Sequence, residues 1–333
     1  MIPTINKTYD LTSKVIDIKP FDGGYLSNNQ IVLCENGERF FLKRYRSSVS
    51  KDILRIEDTE SLLSQYGVPV LLGRLTVDNT RHFVFEDTAC VLYDYIDYPS
   101  IPRPALSSNH LSSLGVLLAS IHHAGENANE DLKTPQNEFW SNEKTLKTLN
   151  EVDNILNTLS ELNSFDKVSR KSIDIKKVFI ANNSIHPETL SLGEKTITHG
   201  DFHEGNVFFD QNGDVVTVFD LEKTRYGYAS LELARSMMLL CFDDGFSDGN
   251  FAKATDYLKG YRSVREIAEI EFSDALKVYC IKLFYSTWVE VEHYKNSNSK
   301  IDHFLVSAFT NLEYLENNID TFVSSILSRC FID

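Results

Sequence analysis

The sequence predicts an α+β fold in two parts: a small antiparallel β-sheet part in residues 1–97 and a larger, mainly helical part in residues 98–333. Three observations lead to this prediction. Short β-rich runs with turn signals fill the first part. Prolines at positions 99, 102 and 104 then interrupt the chain, and apolar residues at helical spacing dominate the rest of the sequence. A chain of 333 residues is long enough for two such parts.

The first part is expected to hold a five-stranded antiparallel sheet and one helix. Two β-rich runs surround Asn36 and Gly37, a pair that favours a tight hairpin turn. Three more β-rich runs come later, at residues 71–77, 82–86 and 90–96. The helix is predicted at residues 51–66, between the hairpin and these runs, and Gly67 is expected to end it.

The second part begins with an amphipathic helix at residues 107–125. Large aliphatic side chains recur on one helical face, at Leu111, Leu114, Leu118 and Ile121. Ser107 or Ser108 is suited to cap the start of this helix, and Gly125 is suited to stop it. Residues 139–190 look helical but polar, and most of the chain after residue 220 is predicted to be helical.

Charge and composition exclude several classes of function. Acidic residues outnumber basic ones by 48 to 33, so the formal charge is −15, and such a surface repels the phosphates of nucleic acids. We expect neither a signal peptide nor a membrane span, because no apolar run approaches the roughly 20 residues that cross a bilayer. The five cysteines contain no CxxC pair, which argues against a zinc site and favours a reducing cytoplasm. Nothing in the sequence indicates the oligomeric state.

Residues 198–222 hold the densest set of chemically active side chains. Asp201 and Asn206 precede one strand of a predicted hairpin with its turn at residues 211–213, and Asp220 ends the other strand. Strand pairing would bring the oxygen donors of Asn206 and Asp220 to one edge, with Asp201 beside them. Magnesium prefers hard oxygen ligands completed by water and phosphates, and a free carboxylate can accept the proton of an attacking hydroxyl. This is the minimum set for phosphoryl transfer.

The same segment resembles the signature of the aminoglycoside phosphotransferase and choline kinase superfamily, which is HxDxxxxN followed by an aspartate at the end of a strand. His199, Asp201 and Asn206 match the first element and Asp220 the second. The resemblance implies a protein-kinase-like fold and an ATP- and Mg²⁺-dependent kinase activity. It makes Asp201 the catalytic base, Asn206 and Asp220 the magnesium ligands, and His199 a support of the loop. A metal site shared by His199 and His203 is the competing interpretation.

Lys43 lies in a β-rich run that resembles the family's strand with the nucleotide-binding lysine. A half-buried lysine needs an anionic partner. Nucleotide phosphates supply one, and a glutamate of the following helix would orient the ammonium group. Glu57 and Glu60 lie three residues apart on one face of that helix, and the spacing to Gly67 favours Glu57. The alternative for each glutamate is a surface charge.

Two further stretches are expected to contact the nucleotide. Gly23 and Gly24 precede the lysine strand and permit a tight turn whose backbone amides approach the phosphates; a plain hairpin turn is the alternative. Kinase-like folds bind adenine through the backbone of the linker between their two lobes. In this sequence that linker is expected to include Tyr93, Tyr95 and Ile96.

Two glutamates mark differences from related kinases. Glu232 stands where the family usually has aspartate, in the segment that normally holds the catalytic loop. It lies only twelve positions after Asp220, too few for the long activation loop that docks peptides in protein kinases, so a small acceptor is favoured. Glu222 is a candidate contact for metal or acceptor.

The resemblance suggests an acceptor hydroxyl on an amino alcohol, an aminoglycoside or a homoserine-like compound. Acidic and aromatic side chains in the helical part would suit a cationic amine, although solvated surface charge is the alternative. The candidates are Asp243, Asp244, Asp248, Trp288, Glu290 and Glu292. Two other interpretations remain open: a protein Ser/Thr kinase of the same superfamily, and a nucleotide-binding protein without catalysis, against which the presence of Asp201 argues.

Overall fold

The computed structural model of the protein describes residues 1–21, 28–45, 51–98, 101–133 and 139–331. Its helices are α1 (Ile2–Thr8), α2 (Lys51–Gln65), α3 (Ser108–Gly125), α4 (Asn142–Thr158), α5 (Ser164–Asn182), α6 (Ala229–Cys241), α7 (Asp248–Arg262), α8 (Glu269–Tyr285), α9 (Trp288–Asn296), α10 (His303–Leu315) and α11 (Ile319–Cys330). Its strands are β1 (Val15–Pro20), β2 (Asn28–Cys34), β3 (Arg39–Arg44), β4 (His82–Phe85), β5 (Thr88–Asp94), β6 (Lys195–Thr198), β7 (Val207–Phe209), β8 (Val215–Val218) and β9 (Arg225–Tyr228).

The N-terminal part is a five-stranded antiparallel sheet in the order β1-β2-β3-β5-β4. The number of strands and their direction are as the sequence predicts, but one member differs. The predicted strand at residues 71–77 is wrong, and β1 forms an edge of the sheet. The reason lies in β5, whose outer side pairs with β4 as far as Val91. Only its end remains for the 71–77 segment, which forms an isolated bridge from Gly73 to Tyr93.

Helix α2 follows the sheet's central hairpin and contributes apolar side chains to the main core. Ile53, Ile56 and Leu63 are buried, at the spacing of one helical face. The helix ends just before Gly67, whose backbone is left-handed at φ 75°, as a helix-ending glycine requires.

The helical part is built around α3, which the sequence predicts well. Its apolar face is buried in full, at Leu111, Leu114, Leu118 and Ile121. Ser107 caps the helix and shares a reciprocal capping box with His110. Helix α3 crosses α7 backbone to backbone: a Cβ on Gly115 would lie 2.1 Å from the Tyr257 carbonyl oxygen, and one on Gly260 would lie 2.1 Å from that of Ser112. Only glycine permits this approach at both positions.

The segment that joins α5 to α6 contains two small pairs of strands. The β7–β8 hairpin is the one that the sequence predicts. The antiparallel pairing of β6 with β9 was not predicted. A third connection is made by backbone alone: Val70 forms a parallel bridge with Val218, the amide of Leu71 donates to the Val218 carbonyl at 2.9 Å, and the amide of Val218 donates to the Pro69 carbonyl at 2.7 Å. The N-terminal part is thereby tied directly to β8.

Within the described residues, none of the helices combines the length and the apolar character needed to cross a membrane.

Candidate active site

The β7–β8 hairpin brings Asn206 and Asp220 together. Its pairing extends one step beyond the strands, because the amide of Phe219 donates to the Asn206 carbonyl at 3.1 Å. Asn206 is buried, and its side-chain amide nitrogen donates to the Asp201 carbonyl at 2.9 Å. This hydrogen bond leaves the side-chain oxygen of Asn206 as the atom available to a ligand. The site therefore offers one amide oxygen and one carboxylate at a single edge, which suits a hard cation such as magnesium.

Lys43 connects the N-terminal sheet to this edge. Its ammonium group lies 2.7 Å from Asp220 Oδ1 and 2.7 Å from Glu222 Oε1, and only 8% of the side chain is exposed. Although burial disfavours the charged form, Tyr45 and the two carboxylates raise the pKa of Lys43 above its usual value. The lysine is thus a fixed cation that faces the proposed metal edge.

Asp220 has an unusual backbone conformation, with φ 65° and ψ 60°. This left-handed region is uncommon for residues other than glycine, and aspartate is among the side chains that tolerate it best. The residue lies two positions after β8 and begins the short 3₁₀ turn at Leu221–Lys223. The chain changes direction there, and Lys43 contacts the carboxylate of Asp220 before the turn and that of Glu222 within it.

Asp201 is held by two cations. Arg235, on α6, donates to one carboxylate oxygen at 2.6 Å, and Lys223 donates to the other at 2.7 Å. Burial by itself would raise the pKa of Asp201, but Arg235 and then Lys223 lower it to about 2. The carboxylate is therefore ionised at neutral pH. Its two positive partners were not predicted from the sequence.

Gly200 explains how Lys223 comes so close to Asp201. Its φ is 80°, and a Cβ at this position would lie 1.9 Å from the carbonyl oxygen of Lys223. The loop before Asp201 therefore passes directly against the turn after Asp220, an approach that only glycine allows.

The loop is anchored by Glu232, which the sequence marks as a departure from the family pattern. Its carboxylate accepts hydrogen bonds from the backbone amides of His199 (2.8 Å) and Gly200, and from His122 Nε2 (3.0 Å). Burial opposes the charge of Glu232, yet the hydrogen bond from His122 and nearby positive charge lower its pKa to about 2. The longer side chain still reaches the loop, so the change from aspartate is accommodated.

His199 is fully buried and both of its ring nitrogens are in use. Nε2 bonds the Phe219 carbonyl at 3.0 Å, and Nδ1 accepts the Asp201 amide at 3.3 Å. His203 Nδ1 accepts the amide of Gly205 at 3.1 Å. These contacts fit the loop-supporting role that the resemblance implies for His199 better than the competing interpretation of a shared metal site.

Glu57 is placed differently from the expectation. The sequence favours it as the partner of Lys43, but it forms a hydrogen bond of 2.7 Å with His82 Nδ1 on the edge strand β4. Lys43 instead contacts the two carboxylates at the end of β8 and in the following turn. Helix spacing defines which face carries Glu57, but it does not reveal that a histidine of the sheet lies opposite.

Glu60, the other candidate, lies deeper in the structure. Its carboxylate accepts hydrogen bonds from the Tyr93 hydroxyl at 2.9 Å and from the Gly73 amide at 3.1 Å. Burial raises the pKa of Glu60 to about 7, although these two hydrogen bonds oppose the shift. Tyr93 also contacts the hydroxyl of Tyr45 at 3.1 Å, so two tyrosines continue the polar path from Glu60 toward Lys43.

The remaining nucleotide positions are only partly described. Tyr93 is buried in β5, where it pairs with Phe41 and bridges to Gly73. Tyr95 and Ile96 follow the end of that strand and are half-buried. Of the expected adenine positions, these two are therefore the ones outside the sheet. Gly23 and Gly24 lie outside the described residues.

A model of the phosphotransferase enzyme family matches residues 17–267. Among solved structures, an aminoglycoside phosphotransferase from Alicyclobacillus acidocaldarius is similar at a TM-score of 0.69 and 14% identity, over 99% of this chain and 96% of that one. A spectinomycin phosphotransferase in complex with ADP and spectinomycin gives 0.66 and 13%, over 97% of both chains. A microcompartment-associated aminopropanol kinase gives 0.61 and 15%, over 96% and 97%. No curated protein matches the sequence. At these identities the structural likeness shows the fold.

Proposed function

The chain belongs to the phosphotransferase enzyme family, and from this premise we propose that it transfers the γ-phosphoryl group of ATP, with Mg²⁺, to a hydroxyl group of a small-molecule acceptor. One observation carries the proposal: four groups meet at the edge of the β7–β8 hairpin, namely Lys43, Asp201, Asn206 and Asp220. Phosphoryl transfer requires the protein mainly to position the reacting groups and to neutralise charge. These four groups can supply both.

On the nucleotide side, the amide oxygen of Asn206 and the carboxylate of Asp220 would hold magnesium. Bound magnesium would neutralise phosphate charge. Lys43 is already fixed beside Asp220 and would contact the phosphates. We assign adenine to the backbone near Tyr95 and Ile96, and the presence of ADP in the complex of the similar spectinomycin phosphotransferase supports a nucleotide as a ligand of this fold.

On the acceptor side, Asp201 would accept a hydrogen bond from the attacking hydroxyl. A carboxylate with a pKa of about 2 is a weak proton acceptor in the ground state. In a loose, metaphosphate-like transition state, however, orientation of the hydroxyl matters more than early proton removal. The role that fits Asp201 best is therefore to orient the hydroxyl and to take its proton late.

A small acceptor is favoured by the way the chain continues after Asp220. The segment forms a short turn and strand β9, which pairs with β6, and α6 begins immediately afterwards at Ala229. No long loop for peptide docking intervenes between these described elements. Two similar structures are a spectinomycin phosphotransferase and an aminopropanol kinase. Both names support a small-molecule acceptor.

The proposal is tested by comparing Asp201→Asn with Asp220→Asn. Asparagine at 201 keeps the size and loses the charge, so magnesium–ATP binding should change little while labelled transfer falls by about 10²–10⁴-fold. Asparagine at 220 should weaken the magnesium–nucleotide complex itself. Nucleotide affinity is measured by titration with and without magnesium, and transfer by radiolabel on pooled hydroxylated compounds.

Asp214→Asn, in the exposed turn of the same hairpin, is the matched control and should leave both quantities unchanged. Full transfer by Asp201→Asn would remove this residue from the reaction. If the wild-type protein bound ATP and labelled no compound in the pool, the nucleotide-binding alternative without catalysis would replace the proposal.

A further inference from the structure

The carboxylate expected to face the acceptor hydroxyl is surrounded by positive charge. Lys223 and Arg235 each form an ion pair with Asp201, so the three side chains together carry a net charge of +1. The neighbouring acidic residue Glu204 is directed to a different cation, because it pairs at 3.0 Å with Arg103, which also pairs with Asp243.

Arg235 also has unused hydrogen-bonding capacity. Its Nη2 donates to Asp201, whereas its Nη1 is buried and has no hydrogen-bond partner within the part of the chain that the structure describes. A buried guanidinium donor without an acceptor is unfavourable. Because Nη2 already binds Asp201, Nη1 is the nitrogen that remains for an anionic group such as a carboxylate or a phosphate.

Lys223 can change its partner at little cost. More than half of its side chain is exposed (53%), while its ammonium group lies 2.7 Å from Asp201. Ion pairs at such exposure contribute little to stability. An anion that arrives beside Asp201 could therefore attract this ammonium group and free an oxygen of Asp201 for the acceptor hydroxyl.

The acidic side chains that would suit a cationic acceptor are engaged elsewhere. Asp243 pairs with Arg103 at 2.9 Å, and Asp248 pairs with Arg329 at 2.8 Å. Glu290 is not a surface charge, because it is buried in an ion pair with Lys176. Asp244 accepts a hydrogen bond from Asn250, and Glu292 accepts hydrogen bonds from Asn296 and Asn298. None of these contacts favours an amine.

We propose that Lys223 and Arg235 bind an anionic group of the acceptor, so that the acceptor is a hydroxylated acid with a carboxylate or phosphate near the reacting hydroxyl. The proposal rests on the proposed kinase function and names its substrate class. The two cations recognise the acid, and Asp201 orients the hydroxyl a few bonds away. A cationic amine at the same place would be repelled by both residues.

The test uses compounds that share a three-carbon alcohol and differ in one group: 3-hydroxypropanoate, 3-hydroxypropyl phosphate, 1,3-propanediol and 3-amino-1-propanol. Binding to the whole chain is measured by saturation-transfer NMR with magnesium and a non-hydrolysable ATP analogue. Transfer is measured separately by radiolabel. At least one of the two acids should bind more tightly than the diol, and the amine should bind most weakly. The two acids distinguish a carboxylate from a phosphate as the recognised group.

Lys223→Gln and Arg235→Gln should each weaken binding of the preferred acid by about 10- to 100-fold and weaken binding of the diol far less. Lys223→Arg should retain the preference, and Lys259→Gln, which removes an exposed lysine on α7, is the matched control. Tighter binding of the amine, absence of binding by both acids, or equal weakening of acid and diol would each overturn the proposal. The binding experiment does not depend on turnover, so a lack of labelled product alone would count against the kinase function instead.

Discussion

Glu232 keeps a negative charge inside the protein because three N–H groups converge on it. Two come from the backbone of the loop before Asp201, and the third is His122 Nε2. Burial lowers the pKa of His122, so the ring is neutral, and its Nδ1 bonds the Tyr261 hydroxyl at 2.9 Å. A carboxylate with this many donors remains ionised despite burial. It fixes the loop on which Asp201 stands.

Replacing Glu232 by glutamine should loosen this loop. One carboxylate oxygen becomes an NH₂ group that faces N–H donors, so the free energy of unfolding at pH 7 should fall by roughly 1–3 kcal/mol. The way in which this contribution to the free energy of unfolding changes with pH depends on the pKa of Glu232. The fold lowers that pKa from the ordinary 4.5 of a free glutamate to about 2. The charge therefore stabilises the fold fully above pH 4.5, and this stabilisation is lost as the pH falls toward 2.

Urea unfolding of wild type and Glu232→Gln at pH 7 and pH 3 measures this effect. The stability gap between the two proteins should narrow at pH 3. Glu188→Gln, which changes an exposed glutamate, should show no gap at either pH. An equal gap for Glu232→Gln at both pH values would mean that the charge of Glu232 does not stabilise the loop.

The residues of the site differ in how far sequence spacing could reveal them. The juxtaposition of Asn206 with Asp220 results from a hairpin and its turn, which are local. The contacts of Lys223 and Arg235 with Asp201 depend on how the turn after Asp220 passes Gly200 and on where α6 returns in space. Sequence distance carries little information about such contacts. The same limit explains Glu57, whose histidine partner lies on a different element.

At the scale of elements, local patterns predicted α2, α3 and the hairpins β2–β3 and β7–β8. The later helices were predicted only as helical regions, and α1 was missed. Pairings between distant segments were missed. Strands β6 and β9 have four residues each and are separated by 26 residues of chain, 199–224, so neither has a pattern long enough to stand out. The segment 71–77 has apolar residues in plenty, but Leu75 and Val77 are more than half exposed. Composition alone could not show that β4, and not this segment, pairs with β5.

The crossing of α3 and α7 gives a prediction at this scale. Gly115→Ala or Gly260→Ala would drive a methyl group into the backbone of the facing helix. Each should lower the free energy of unfolding by about 1–3 kcal/mol or more, measured by thermal unfolding. Gly249→Ala is the control within α7, because its Cβ would meet only Ser247 Oγ at 3.6 Å. Alanine is the better helix former, so this variant should be neutral or stabilising; equal losses in all three would refute the close-approach argument.

At the scale of the whole molecule, a strongly acidic chain places cations beside the acidic groups of its proposed site. The formal charge is −15, yet Lys43 pairs with Asp220 and Glu222, and Lys223 and Arg235 both pair with Asp201. Anionic ligands that enter the site meet these local fields rather than the average charge of the surface. The sheet supplies the first cation and the helical part supplies the other two, so the site is complete only when both parts are docked.

The backbone bridge between Val70 and Val218 has a mechanical consequence. It ties the N-terminal part to β8 by two hydrogen bonds, beside the hairpin edge that would hold magnesium. If the two parts rock against each other to admit and release nucleotide, this bridge is the natural pivot, and displacement should grow with distance from it. The amides of Leu71 and Val218 should then exchange hydrogen slowly with and without nucleotide, whereas the amide of Asp214, whose hydrogen bond to the Asp210 side chain is exposed, should exchange faster. Rapid exchange of the Val218 amide would mean that the two parts separate at this bridge instead of rotating about it.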